Sequence, residues 1–294
     1  MKTLKFILIL LISISCSNDA SDINEEMVEE MVEDTDEDSS LNISDFARSK
    51  LENYWIFDVD SNSNGTPEMN YTATDSLYVL TSNLDAFTLG ANDSNVASAT
   101  MNNLLISGSL SKSGTALKYT GTLELPIDLD LDLDQTLAIT DLIFVDLDAT
   151  NGDIMYDFSS NYSDSVDIQG TVIPLEISYS LTTKKENFYP THSINGTSYT
   201  NVYEASLNLT IAISGTVNFL GVPQSLNIIK PGDILTIRYF YGENIGLLRA
   251  ENTQTFELST EAIAFLNLIG GGVDIPTSVT VNSIEELNHY FINQ

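Results

Sequence analysis

The sequence predicts a mainly β domain of antiparallel strands with few short helices. Three observations carry that prediction. Segments such as 70–80, 115–125, 173–183, 203–219 and 233–242 alternate with period two and are rich in Thr, Tyr, Ile and Val. Asn-Gly or Pro-Gly pairs fall between alternating segments, at Asn64-Gly65, Asn151-Gly152, Asn195-Gly196 and Pro231-Gly232, and Asn-Gly favours the positive φ angles of tight hairpins. Helical stretches are few, at about 43–52, 259–268 and 283–290. Strands that follow strands without crossover helices point to antiparallel pairing.

The chain opens with "MKTLKFILILLISISC". Lys2 and Lys5 form a short basic region, and Phe6 to Ile12 is an unbroken apolar run. A bilayer span takes roughly 20 apolar residues, so this run reads as the core of a secretory signal over residues 1–15. Ser13-Ile14-Ser15 gives a small-x-small cleavage pattern directly before Cys16. The stretch resembles the lipobox of bacterial lipoproteins, with Ser13 where Leu is usual. The resemblance implies a lipidated Cys16 as mature N-terminus and a membrane partner reached through that lipid. Cys16 is the only cysteine, so it has no internal disulfide partner.

Residues 17–40 hold eleven Asp or Glu and no Lys or Arg. Like charges in a block stay solvated and extended. Residues 16–45 therefore read as the anchored cysteine and an acidic tether, and 46–294 as one β-rich domain. No stretch near its middle has linker composition. Over the whole chain 42 acidic residues face 11 basic ones, a net charge of −31. That charge repels nucleic acid, whose binding needs Lys and Arg at phosphates, and disfavours anionic lipid surfaces.

Within the domain, "LPIDLDLDLDQ" (125–135) asks whether Asp128, Asp130, Asp132 and Asp134 form a metal ladder. Leu123 to Leu133 place apolar residues on odd positions, which only a strand puts on one face. Calcium needs six to eight converging oxygens, which one straight strand does not supply, although Asp146 and Asp148 could add to it. The ladder reads as a solvated strand face. Asp60, Asn62, Asn64 and Gly65 match the first half of a calcium loop, but Tyr71 stands where a bidentate Glu belongs. This remains a weak metal candidate beside a plain hairpin turn. No metal or other cofactor is expected.

Ser109-Leu110-Ser111-Lys112 has the spacing of penicillin-binding enzymes but lacks their partner motifs. Gly270-Gly271-Gly272 has no following Lys. His192 and His289 are isolated, and no G-x-S-x-G occurs. Nothing in the sequence assembles a catalytic constellation, so a non-enzymatic protein is expected. Trp55, the only tryptophan, reads as a core anchor of the first strand.

An apolar sheet face left open would expose a large patch. The sheet must close on itself, pack on a second sheet, or fold around cargo, with 259–269 a candidate cap. Three stretches bear on that choice: "YWIFDV" (54–59), "INGTSYTNVYEASL" (194–207) and "YFYGENIGLLRAEN" (239–252). They resemble a group of Bacteroidota envelope lipoproteins that open the domain with Tyr-Trp, carry an NGxxYxxV hairpin midway and end on a GxxIGLL turn. The resemblance implies a curved, half-barrel-like sheet related to lipoprotein carriers, with a β-sandwich as the alternative. It implies an outer-membrane lipoprotein, periplasmic or surface-exposed, that binds an apolar small molecule or lipid. The alternative function is an interaction or structural protein with a filled core. No activity follows from the resemblance.

Overall fold

A computed structural model describes residues 41–64, 69–124, 136–168, 171–219, 222–268 and 277–293. Cys16, Asp128, Asp130, Asp132, Asp134 and the Gly270-Gly271-Gly272 run lie outside them.

The chain enters through α1 (Ile43–Phe46), capped by the Asn42 side chain accepting from the Ser44 N–H. A first antiparallel meander follows: β1 (Tyr54–Asn64), β2 (Tyr71–Ser82), β3 (Ala86–Ala91), then α2 (Thr100–Ile106), β4 (Gly108–Ser113), β5 (Ala116–Glu124) and β6 (Thr136–Asp146). A second comprises β7 (Ile154–Ile168), β8 (Thr171–Ile194), β9 (Thr197–Phe219), β10 (Val222–Asn227), β11 (Gly232–Gly242) and β12 (Gly246–Glu257). After α3 (Thr260–Leu268), β13 (Ser278–Phe291) slots between β1 and β12 and joins both meanders into one sheet. The strand order is β6-β5-β4-β3-β2-β1-β13-β12-β11-β9-β8-β7, with β10 also on β9. The domain is one antiparallel sheet, curved into a nearly closed barrel, with three short helices among the described residues.

The alternating segments become strands because each has one apolar face to bury. In β1, Trp55, Phe57 and Val59 are buried while Asp58 and Asp60 face water. The β8–β9 turn is Asn195-Gly196 at φ 47° and 78°, the paired positive values of a tight hairpin. The helix expected at about 43–52 stops at Phe46, and two further stretches depart from the sequence expectation. Residues 283–290 form strand β13 rather than a helix. Residues 100–106 form a helix that no local pattern announces.

The sheet's edges, β6 and β7, are consecutive in the chain and meet across a seam. Side chains bridge it in place of a backbone ladder. The Thr183 hydroxyl donates to the Ile143 carbonyl at 2.7 Å, Tyr239 to Phe144 at 2.9 Å, Tyr203 to Asp146 at 2.9 Å and Tyr156 to Thr140 at 3.2 Å. The Asp146 N–H returns a bond to the Tyr203 oxygen at 3.2 Å. Inside, Tyr119, Phe144 and Tyr239 meet with ring centroids 5.6 and 5.7 Å apart. The middle of the barrel is a filled aromatic and aliphatic core.

Antiparallel register gives the barrel two distinct rims. The proximal rim carries the incoming chain, the turns at 83–85, 114–115 and 243–245, and the β8–β9 tip. The distal rim carries residues 92–99, the start of β2 and the end of β1. Near the proximal rim the tip buries Ile194 and Val202 with Phe240 and Leu248, and His192 stacks between Tyr189 and Phe240.

Candidate functional site

The site is built around α2. Seven residues of modest helix propensity are too few to be stable alone, and its N-cap, Ala99, makes no side-chain cap bond. The barrel wall supplies the caps. Glu285 of β13 accepts the backbone N–H groups of Met101 at 2.7 Å and Asn102 at 2.9 Å. Asp75 of β2 accepts those of Ser98 at 2.8 Å and Ala99 at 3.0 Å. Asn252 of β12 donates to Glu285 at 2.7 Å, and Asn102 donates to Asp75 at 3.3 Å. All four side chains are buried. Met101, Leu104 and Leu105 then anchor the helix in the core.

Burial drives the Glu285 carboxyl up to about 7; its hydrogen bonds oppose that rise, and the Asp75 charge adds to it. The Asn102 and Asn252 side-chain oxygens in the same cluster are buried without a partner among the described residues. They are two further acceptors beside the Asp75 and Glu285 oxygens, which already take the cluster's donors.

Between α2 and the distal wall lies a pocket of about 330 Å³, near the lower end of roughly 300–1,000 Å³ for ligand sites. Leu104, Leu235, Met69 and Val281 give it apolar surface, and Ser61, Tyr71, Thr100, Gln254 and Ser283 give it hydroxyls and an amide. Several of those polar groups are pre-oriented. Gln254 donates to Thr100 at 2.8 Å, Tyr71 to the Ser98 carbonyl at 2.6 Å and Ser61 to the Met69 carbonyl at 2.9 Å. Burial raises the Tyr71 hydroxyl above its usual range, so it stays neutral. The one charged side chain in the lining is Glu124, and it is exposed. A second void, about 30 Å³ beside Trp55 and Phe46, holds roughly one water.

The sequence candidates fall elsewhere. Asp60, Asn62 and Asn64 are exposed along β1, with Asn62 donating to Asp60 at 3.1 Å. Asp146 and Asp148 both accept from the Thr115 hydroxyl in a local turn. Among the described residues no group of three or more His, Cys, Asp or Glu is placed to hold a metal ion. Ser109 and Lys112 lie in strand β4, and Lys112 donates to Ser49. His289 approaches the Tyr54 hydroxyl at 3.4 Å. Trp55 is the core anchor that its sequence context suggests: its indole N–H donates to the Ile245 carbonyl at 2.7 Å, beside Gly246 at φ 103°. The Tyr-Trp opening and the IGLL turn thus meet in space.

Glu285, Asp75 and the α2 pocket were not singled out by sequence. Their one signal is the "SIEEL" stretch, where Glu285 takes an inward place on β13. No family model, curated protein or solved structure matches the chain.

Proposed function

We propose that this is a lipid-anchored envelope protein, held by acyl chains on Cys16, whose barrel is a non-enzymatic binding module. The observation that carries the reading is the pocket of about 330 Å³ between α2 and the distal wall. Its lining couples buried leucines to neutral hydroxyls and amides and has one charge, at Glu124. It suits a small, neutral, amphipathic molecule or the end of an acyl chain. A lipid swallowed whole has no room, because Tyr119, Phe144 and Tyr239 fill the barrel's middle. The outer face carries ion pairs, Arg238 with Glu204 and Arg249 with Glu286. A barrel that spans a membrane needs an apolar band outside.

The test is uptake of a fluorescent acyl probe by the purified chain. One saturable site is expected, weakened by Val281→Phe, which narrows the pocket. The filled interior favours a second reading, an interaction or structural protein whose barrel is only a scaffold. Failure to take up any apolar probe, or uptake indifferent to Val281→Phe, moves the assignment to that second reading.

A further inference from the structure

Both rims carry exposed aliphatic side chains, with Val96, Val172 and Val222 at the distal end, but the chain enters at one rim alone. The chain enters the domain at the proximal rim, through α1, where the Asn244 N–H of the β11–β12 turn donates to the Asp45 carbonyl at 2.7 Å. Two large aliphatic side chains project from that same rim. Leu84, at the tip of the β2–β3 turn, is 89% exposed, and Leu51, in the chain leading to β1, is 53% exposed. They belong to one neighbourhood. The Lys112 N–H donates to the Asp85 carbonyl at 2.7 Å, and its ammonium donates to the Ser49 hydroxyl at 3.1 Å. A leucine at a turn tip contributes nothing to the core and costs solubility.

In a chain of −31 with only 11 basic residues, Lys50, Lys112 and Lys118 lie at or near the proximal rim, where Arg48 pairs with Asp45, Lys184 pairs with Glu186 and Lys185 is buried on the Ala149 carbonyl. At the distal end Lys230 is paired with Glu257. Asp45, Glu52, Asp85, Asp148, Asp153 and Glu243 share the proximal rim, so it is mixed in charge, whereas the chain as a whole is strongly acidic. Aliphatic tips among scattered lysines match the interfacial zone of a bilayer, where leucines enter the acyl boundary and ammonium groups meet lipid phosphates.

Resting on the anchoring at Cys16 proposed above, we infer that the proximal rim docks on the phospholipid bilayer that holds the anchor, through Leu84 and Leu51. The occupant follows from the chain's own geometry. The lipidated cysteine lies 25 residues before Leu41 in sequence, and the folded domain begins at the rim that carries these leucines. Docked this way, the α2 pocket opens away from the membrane. Each leucine is a weak contact, and the covalent anchor makes it persistent by raising its local concentration at the surface.

The experiment uses full-length lipidated protein reconstituted into phosphatidylcholine vesicles containing nitroxide-labelled lipid. Leu84→Trp places a reporter at the proximal rim. Val96→Trp places one at the distal rim, where Val96 is also exposed. Trp55 is buried and present in both variants. Vesicle flotation is read first, then quenching. The expected result is co-flotation of both variants, with Leu84→Trp quenched as a group about 5–10 Å deep would be and Val96→Trp unchanged. Co-flotation with both reporters unquenched, or both quenched alike, overturns the docked orientation and leaves anchoring standing. Absence of co-flotation overturns the anchoring, and this inference with it.

Discussion

Replacing Glu285 by Gln tests whether a buried carboxylate holds α2. Burial lifts the group from 4.5 to about 7. As pH rises, the unfolded carboxyl ionises first, while the folded one keeps its proton until near 7. The unfolded state then binds fewer protons, so stability falls with rising pH. The contribution is fully present below the unfolded value and is lost as pH passes through the folded one. A shift of this size corresponds to about 3 kcal/mol, most of which falls between pH 5 and pH 8. Glutamine has the same shape and does not titrate. It gives up one of the carboxylate's N–H bonds, a roughly constant offset of about 1–2 kcal/mol. The assay is urea unfolding of both proteins at pH 5 and pH 8. The wild type should lose about 1 M in midpoint relative to the variant over that range, for a slope of roughly 2–3 kcal/mol/M. The −31 background titrates in both proteins and cancels in the difference. Parallel pH profiles would show that Glu285 is not buried as an acid and that α2 is held otherwise.

Three further outcomes are expected. Labelled palmitate should enter the wild type and not Cys16→Ala; a soluble mature chain that begins at Cys16 without lipid defeats the anchor. Tyr239→Phe leaves the buried Phe144 carbonyl without its donor and should cost about 1–3 kcal/mol in thermal or urea unfolding, whereas no loss would mean that the seam does not depend on this bond. Asp130→Asn with Asp132→Asn should change stability by less than about 1 kcal/mol, and saturating calcium should leave the melting temperature nearly unchanged; a calcium-induced rise that these substitutions abolish would make the ladder a metal site.

The strands and the Asn195-Gly196 hairpin were legible because their signals are local: alternation marks a strand with one buried face, and Asn-Gly marks positive φ. The two misread stretches fail for one shared reason. In 283–290, Ile284 and Leu287 sit at helical spacing, yet Ile284 is 40% exposed and Glu285 is fully buried. The polar residue points in because it caps a helix nearly two hundred positions away. That helix carries no cap residue of its own, so nothing in 100–106 marks its start. Each stretch is intelligible only with the other in place, and a window along the chain never holds both. The pocket was hidden with them, since α2 forms one wall and β13 another.

The seam shows how this barrel manages its edge strands. An edge strand presents unpaired carbonyls and amides, which invite pairing with other chains. β6 pairs only with β5 in the ladder, so the groups on its other side need partners. A thirteenth strand pair would have required β6 and β7 to run in register. Hydroxyls from Tyr156, Thr183, Tyr203 and Tyr239 instead reach four β6 carbonyls from four different strands. Tyrosine suits that role, because its ring fills the core while its hydroxyl reaches the far strand. The fully buried Tyr203 and Tyr239 rings do both at once, and burial lifts both hydroxyls far above their usual range, so they remain donors. Closure by side chains holds each carbonyl separately. Losing one hydroxyl should therefore cost one bond and leave the neighbouring strands paired, whereas truncating the Tyr239 ring to Ala should cost about 3–5 kcal/mol, as loss of a large aromatic from a core does. A Tyr239→Phe cost as large as that of Tyr239→Ala would mean that the seam unzips as a unit.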